Sequence, residues 1–379
     1  MRIVLWEMRK ILRPRMLIVA VMVSAVFYYI YPFSYIQNIA SKDDVSIALE
    51  MTERFGPTLD ANEFEETAVW LNDLYRQADE IVRTDPEIAQ LGFSTFQALR
   101  EARDEMDDNF PREEDGSIDT NKWPVALKEL DNAFWRIWNT RLEPEHHGGL
   151  GYCIQELEQR IRPFYITRVL DNSYGEVKDG IMFSDAWVEL RGFVSFGLAV
   201  VALLIAVLLA PMLTRDRMAR MDAQQTASRR GRRIYISQFW AAMLSSFLAV
   251  TVLLVSFAVL LFVGTGLWDM RNNPASSFMN FFMHISITQT LGQYLMSVTG
   301  YAYALGLSTA AIMFCLSGCS RSIATMVINA TLLPLVAGIF FGTVLTWDNE
   351  RIGSKPIVVS VLGLIVALRF LWRRRKVEL

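Results

Sequence analysis

Six long apolar runs constrain this chain more than any other feature. They cover residues 16–36, 192–213, 238–263, 291–316, 323–345 and 356–372, and none contains an acidic residue. A bilayer core of about 30 Å takes roughly 20 apolar residues as a helix, because backbone N–H and C=O groups must be satisfied within the segment. The pattern predicts an all-α protein: a six-helix transmembrane bundle carrying a helical extracellular domain. Arg369 lies near one end of the last run, where its stem can carry the charge outward. The first run is too long for a signal-peptide core and has no small-residue cleavage site, so it is expected to stay as a span. A hydrophobic content of 52% and a mean hydropathy of +0.25 agree with an integral membrane protein, although a large polar insert dilutes both.

Charge orients the bundle. The stretch between the second and third runs, residues 214–235, holds seven arginines (Arg215, Arg217, Arg220, Arg229, Arg230, Arg232, Arg233) against Asp216 and Asp222. The segment ahead of the first run, residues 1–15, has five bases and one acid, Glu7. Arg321 sits in the short turn after the fourth run, and Arg373, Arg374, Arg375 and Lys376 lie in residues 373–379. With six spans all four basic segments share one side, which the positive-inside rule makes cytoplasmic. Residues 37–190 carry 33 acids and 15 bases, net −18, within a chain whose formal charge is −3. Both termini are therefore expected in the cytoplasm, with 37–190 and the shorter segment 264–290 outside.

The outer segment is long enough to bury its own core, and its patterning is helical. Ser41–Asp44 resembles a capping box ahead of a run that closes at Gly56-Pro57. Phe64, Ala68, Leu71, Tyr75, Ala78 and Val82 recur at helical spacing and stop before Asp85-Pro86. A third helix is expected from Ser94 through Met106, a fourth over Trp123–Trp138, and a fifth through Ile154, Leu157, Ile161 and Phe164. The tryptophans of this segment (Trp70, Trp123, Trp135, Trp138, Trp187) fit a helical core better than a ligand groove. His146-His147 beside Gly148-Gly149 has no zinc-type spacing and reads as a solvated loop. Cys153 is alone outside, so no disulfide framework is expected, while Cys315 and Cys319 stack on one helical face of the fourth run.

Catalytic patterns are missing from the sequence. It has no GxxxxGK[ST] phosphate loop, no kinase signature and no GxSxG elbow, and the apolar runs carry no acidic relay for ion coupling. No metal site and no nucleic-acid partner are expected. Residues 2–13 read as an interfacial helix, with Ile3, Leu5, Trp6 and Met8 for lipid and Arg2, Arg9 and Lys10 for headgroups. Residues 214–235 read as a second cytoplasmic helical element, in which Met218, Ala219, Met221 and Ala223 offer a contact face beyond what topology alone requires. In the fourth run Gly300, Ala304 and Ser308 form one small-residue stripe, beside Ala302, Gly306 and Ala310. Such stripes serve a dimer seam, a substrate path or packing within one protomer. Pro334, Gly338 and Gly342 give the fifth run places to bend.

Taken together, these features resemble an ABC-2 type permease, the membrane subunit of ATP-binding cassette exporters. The shared architecture is a basic amphipathic helix before the first span and a large insert between spans one and two. The sharper likeness is the loop after the second span, in which the family pattern Pro-x-x-x-x-x-Glu precedes Thr-x-Ser-x-x-Gly-Arg and a lysine. Here the chain reads Pro211-Met-Leu-Thr-Arg-Asp216 and Thr226-Ala-Ser228-Arg-Arg-Gly231-Arg232. It departs in two places: Asp216 replaces the glutamate one position early, and Gln238 stands where the lysine would fall. The resemblance implies that Asp216, Arg217, Arg220, Ser228, Arg229, Arg230, Gly231 and Arg232, with Trp6, Glu7, Arg9 and Lys10 of the interfacial helix, dock a separate ATPase subunit. It further implies that ATP and Mg bind that partner and not this chain, that the chain itself is no enzyme, and that a second permease, identical or similar, completes the transporter in a plasma membrane.

Other readings compete. A four-span ABC permease also has a large insert after its first span, but the runs at 323–345 and 356–372 bring the count to six. A receptor whose acidic domain binds a ligand normally needs an output domain, and only seven residues follow Trp372. A membrane enzyme would need a polar cluster at membrane depth. The acidic segment makes a cationic antimicrobial peptide a reasonable substrate, and a lone outer cysteine fits a bacterial membrane.

Overall fold

The structure, a computed structural model, describes residues 2–30, 32–41, 43–59, 61–110, 123–140, 149–158, 180–181, 184–218, 234–274 and 289–319, together with positions 365 and 369. Thirteen helices account for most of these, and no strand occurs among the described residues. The chain divides into two compact units: residues 42–186 with 273–284, and residues 1–41, 187–272 and 285–379. The expected spans 323–345 and 356–372 lie outside the described residues.

The helical unit begins with α4 (Asp43–Phe55), which ends where Gly56 turns to φ 86 and its N–H reaches Thr52 O. That left-handed position suits glycine, which has no Cβ to clash. In α5 (Ala61–Thr84), Phe64, Trp70, Leu71, Leu74, Ala78 and Val82 are buried in one stripe, as the three- and four-residue spacing predicts. Pro86 then opens the short α6 (Pro86–Ala89), capped by Asp85, whose Oδ1 accepts from the N–H groups of Glu87 and Ile88. Burial tends to raise the Asp85 carboxyl, but the Glu87 N–H, the Arg136 guanidinium and the Ile88 N–H outweigh it and hold it below the usual range. Thr95 caps α7 (Phe96–Asp108), one residue later than the Ser94 start expected from the sequence. Phe96 stacks on Phe134 of α8 (Val125–Trp138), and Gly149 and Gly151 let α9 (Leu150–Glu156) close on Trp138, where any Cβ would collide. Trp70 is buried as expected of a core and Trp135 is 43% exposed, while Trp187, also buried, belongs to the other unit. Ile161, Phe164 and His146-His147 lie outside the described residues.

Asn273, in segment 264–290, belongs to this same unit. Fully buried Asn273 donates through Nδ2 to Thr52 Oγ1 and to Ile181 O, both at 2.8 Å. Beside it Thr58 bridges Gly180, and Ile181 N–H reaches Pro57 O. One side chain thus ties three distant stretches together.

The other unit contains the apolar helices. Among the described residues three are long and apolar enough to cross a bilayer, which is consistent with a membrane protein: Trp187–Thr214, Ile234–Val263 and Leu291–Gly318. They correspond to the second, third and fourth predicted spans. Within the first predicted span the described residues are helical, in α2 (Pro14–Ile30) and α3 (Pro32–Ser41). The next helix, α10 (Ser184–Leu209), starts well before the expected Gly192, and the buried Trp187 and Leu190 are part of it. It stops ahead of Pro211, which leads into α11 (Met212–Met218). The longest, α12 (Ile234–Thr265), spans about 48 Å at 1.5 Å per residue, and α13 (Leu291–Cys319) packs along it. Ala20, Leu204 and Leu208 form a cluster with Met16, Ala249 and Leu253 against it. Gly306 meets Val250 and Val201, and a Cβ there would lie 2.5 Å from Val250 Cγ2, so the Ala302–Gly306–Ala310 line packs within the protomer. On the neighbouring stripe Gly300 faces open space and Ala304 is half-buried, while Ser308 is buried with its hydroxyl on Leu305 O.

Replacing Asn273 by Ala removes two donated hydrogen bonds from a buried site, and the expected cost is about 1–3 kcal/mol. Amide exchange in the full chain should then rise in α4 and stay unchanged in α13. Tyr75 gives a second check. Its hydroxyl donates to Glu158 Oε1 at 3.0 Å, while Arg100 holds Glu158 Oε2 at 3.0 Å. Burial and then Glu158 push the phenol from 10.0 up to about 12, against the pull of Arg100. The raised value means that the neutral phenol stabilises the fold fully below its ordinary pKa and loses that contribution as pH climbs toward 12. Tyr75→Phe should therefore flatten the alkaline loss of helical circular dichroism in that window; unchanged curves would contradict the coupling.

Candidate functional site

Helix α1 (Arg2–Ile11) is amphipathic, as its sequence predicts, but one residue is placed differently from expectation. Ile3, Leu5 and Trp6 are exposed, as a lipid-contacting face requires, and Arg2 and Arg9 are exposed beside them. Glu7 instead faces inward with Ile11, at 6% exposure, and is neutralised by Lys10, whose Nζ lies 2.7 Å from Glu7 Oε1. The same ammonium sits over the Trp6 ring at 4.7 Å. Arg13 and Pro14 then separate α1 from α2, with proline in the first turn where its missing N–H costs nothing.

This inner face borders a cavity of about 390 Å³. Trp6, Glu7, Lys10 and Arg13 line one side, and Leu208, Pro211, Met212 and Asp216 line the other. The interfacial helix and the first turn of the 214–235 segment therefore meet across one small space with two carboxylates and two cations on its walls. That juxtaposition joins residues from the two basic segments singled out in the sequence.

The first turn of that segment is tied down twice. Asp216 Oδ2 accepts from Gln238 Nε2 at 2.8 Å, and Gln238 is fully buried in the opening turn of α12. The two positions at which the chain departs from the permease pattern are thus each other's partners. On the other side, Ser317 near the end of α13 accepts from Leu213 N–H at 3.0 Å and Thr214 N–H at 3.3 Å, and donates to Ala210 O at 3.1 Å. Thr214 Oγ1 returns a hydrogen bond to Ser317 O at 3.3 Å. A helix end normally leaves backbone groups unpaired, and here one hydroxyl satisfies those at the α10–α11 break. Helix α11 is therefore hydrogen-bonded to both α12 and α13.

Of the remaining sequence candidates, Arg217 falls in α11 with its side chain outside the described residues, and Arg220, Ser228, Arg229, Arg230, Gly231 and Arg232 also lie outside them. Thr214, Ser317 and the pairing of Gln238 were not anticipated. Their one sequence signal is a polar residue within an apolar run, which seeks a partner on a neighbouring helix. Among the described residues no group of three or more His, Cys, Asp or Glu side chains gathers as a metal site. Among the described residues the arrangement consists of hydrogen bonds, an ion pair and packing. Comparison with known protein families, with curated proteins and with solved structures finds no match.

Removing the Ser317 hydroxyl leaves two backbone N–H groups unpaired at a buried break. Ser317→Ala is expected to destabilise the bundle by about 1–3 kcal/mol, the usual cost of orphaned buried donors. Thermal unfolding of the full chain in detergent measures this, and Ser317→Thr should recover most of the loss.

Proposed function

We propose that this chain is the permease subunit of an ATP-driven exporter of the ABC-2 type. A separate ATPase subunit binds ATP and Mg, docks on the interfacial helix and the 214–235 segment, and drives the bundle between inward- and outward-facing states. A second permease, identical or similar, completes the transporter in a plasma membrane. The observation that carries the reading is the double tie of α11, through Asp216 to Gln238 of α12 and through Thr214 to Ser317 of α13. A partner pushing on a loosely tethered loop would only bend it, whereas a push on α11 reaches two apolar helices at once.

The orientation gains independent support. Residues 42–186 and 273–284 belong to one compact unit, joined by Asn273, so both stretches lie on the same side of any bilayer. Two helices, α10 and α12, then connect that side to the arginine-rich segment. Together with the positive-inside rule, this supports our reading that the arginine-rich segment is cytoplasmic and the acidic unit is outside. An outer unit of that charge attracts cations, which favours a cationic antimicrobial peptide as the exported molecule.

Charge reversal at Arg229, Arg230 and Arg232 together is expected to reduce recovery of the ATPase subunit at least tenfold in a mild-detergent purification, with membrane insertion intact. Wild-type recovery from the triple variant would remove the docking role from this segment.

A further inference from the structure

A second cavity, of about 600 Å³, lies at the opposite end of the same helices and takes no part in the proposed coupling. Its volume falls within the roughly 300–1,000 Å³ range of small-molecule sites. Phe193 and Leu198 of α10, Phe257 and Leu261 of α12, and Val298 of α13 form its walls. The edge of its mouth is apolar and uncovered, with Trp268 52% and Met296 79% exposed, so it opens among surfaces suited to lipid and not to water.

The polar end of this cavity has one sign of charge. Arg271 borders it together with Asn272, Thr290 and Gln293. The Arg271 guanidinium is held in place, with one N–H on Trp268 O at 3.0 Å and its carbon 5.0 Å over the Trp268 ring. The Trp268 ring is in turn edge-packed on Phe262. Among the described residues no carboxylate lies within ion-pair distance of Arg271, and a guanidinium has five N–H donors. Gln293 uses its Oε1 on Thr290 N–H at 3.2 Å, which leaves its amide N–H groups as further donors at the same rim. The start of α13 adds the positive end of a long helix. Trp268 and Arg271 follow directly after the end of α12, the level at which aromatic and basic side chains meet headgroups.

An apolar slot with a fixed cation at its mouth matches a molecule with a long apolar tail and a small anionic head. We infer that this cavity binds an anionic glycerophospholipid taken from the surrounding bilayer, with an acyl chain between α10, α12 and α13 and the phosphate on Arg271. The lipid then serves as a wedge between the outer ends of three helices. The inference rests on the membrane-spanning reading and not on the ATP-driven one, so it survives if no ATPase subunit is ever found.

The test is native mass spectrometry of the full-length chain with its co-purifying partners, in mild detergent, titrated with dioleoyl phosphatidylglycerol or dioleoyl phosphatidylcholine. At least tenfold tighter retention of the glycerol lipid is expected for the native chain. Arg271→Gln should bring the two lipids within about twofold, and Arg271→Lys should restore most of the preference. Ala258→Phe, which fills the slot, should weaken both. Equal retention of the two lipids by the native chain, or a preference unchanged in Arg271→Gln, would overturn the site. Displacement of the lipid by equimolar glycerol 3-phosphate would overturn the bilayer as its source, because a free phosphate would then suffice.

Discussion

The constraint on which the rest depends is that a backbone polar group left unpaired in an apolar interior is costly. The apolar runs satisfy their backbones by forming helices, and where a helix is interrupted its backbone groups need partners from elsewhere. Pro211 breaks one such helix and exposes backbone groups; the hydroxyl of Ser317 restores their partners from another span. Gln238, buried in the first turn of α12, takes Asp216. The same demand that keeps the bundle intact therefore attaches the start of the basic segment to two spans. A mechanical link arises from a solvation problem.

Glu7 extends the argument to the interfacial helix. An acid turned away from water beside a lipid surface is tolerable only with a counter-charge, and Lys10 provides it at 2.7 Å. With Glu7 facing inward, α1 presents one charged face to the cavity it shares with Asp216 and one apolar face outward. The charged face of α1 and the start of the basic segment thus border one space.

Most of the helices were readable in the sequence, and the physical reason is local. The stripe from Phe64 to Val82, the stop at Asp85-Pro86 and the long runs at 192–213, 238–263 and 291–316 each depend on residues a few positions apart. What stayed hidden is long-range pairing. Thr214 and Ser317 stand 103 residues apart, and Asn273 and Thr52 stand 221 apart. Each is an ordinary polar residue whose partner only the fold supplies. Periodicity also assigned Glu7 to a helix without saying which face would be covered. The small-residue stripes show both outcomes: spacing found them, and packing against Val250 was needed to decide that the line through Gly306 faces inward.

The central claim is that the 214–235 segment passes force from a soluble partner into the bundle. The most direct test is to isolate the native chain from its own membrane in mild detergent and identify by mass spectrometry what accompanies it. A stoichiometric subunit bearing a phosphate loop is expected, together with one further copy of this chain or a chain similar to it. Recovery of the chain alone, or with a kinase, would contradict the account and favour a receptor.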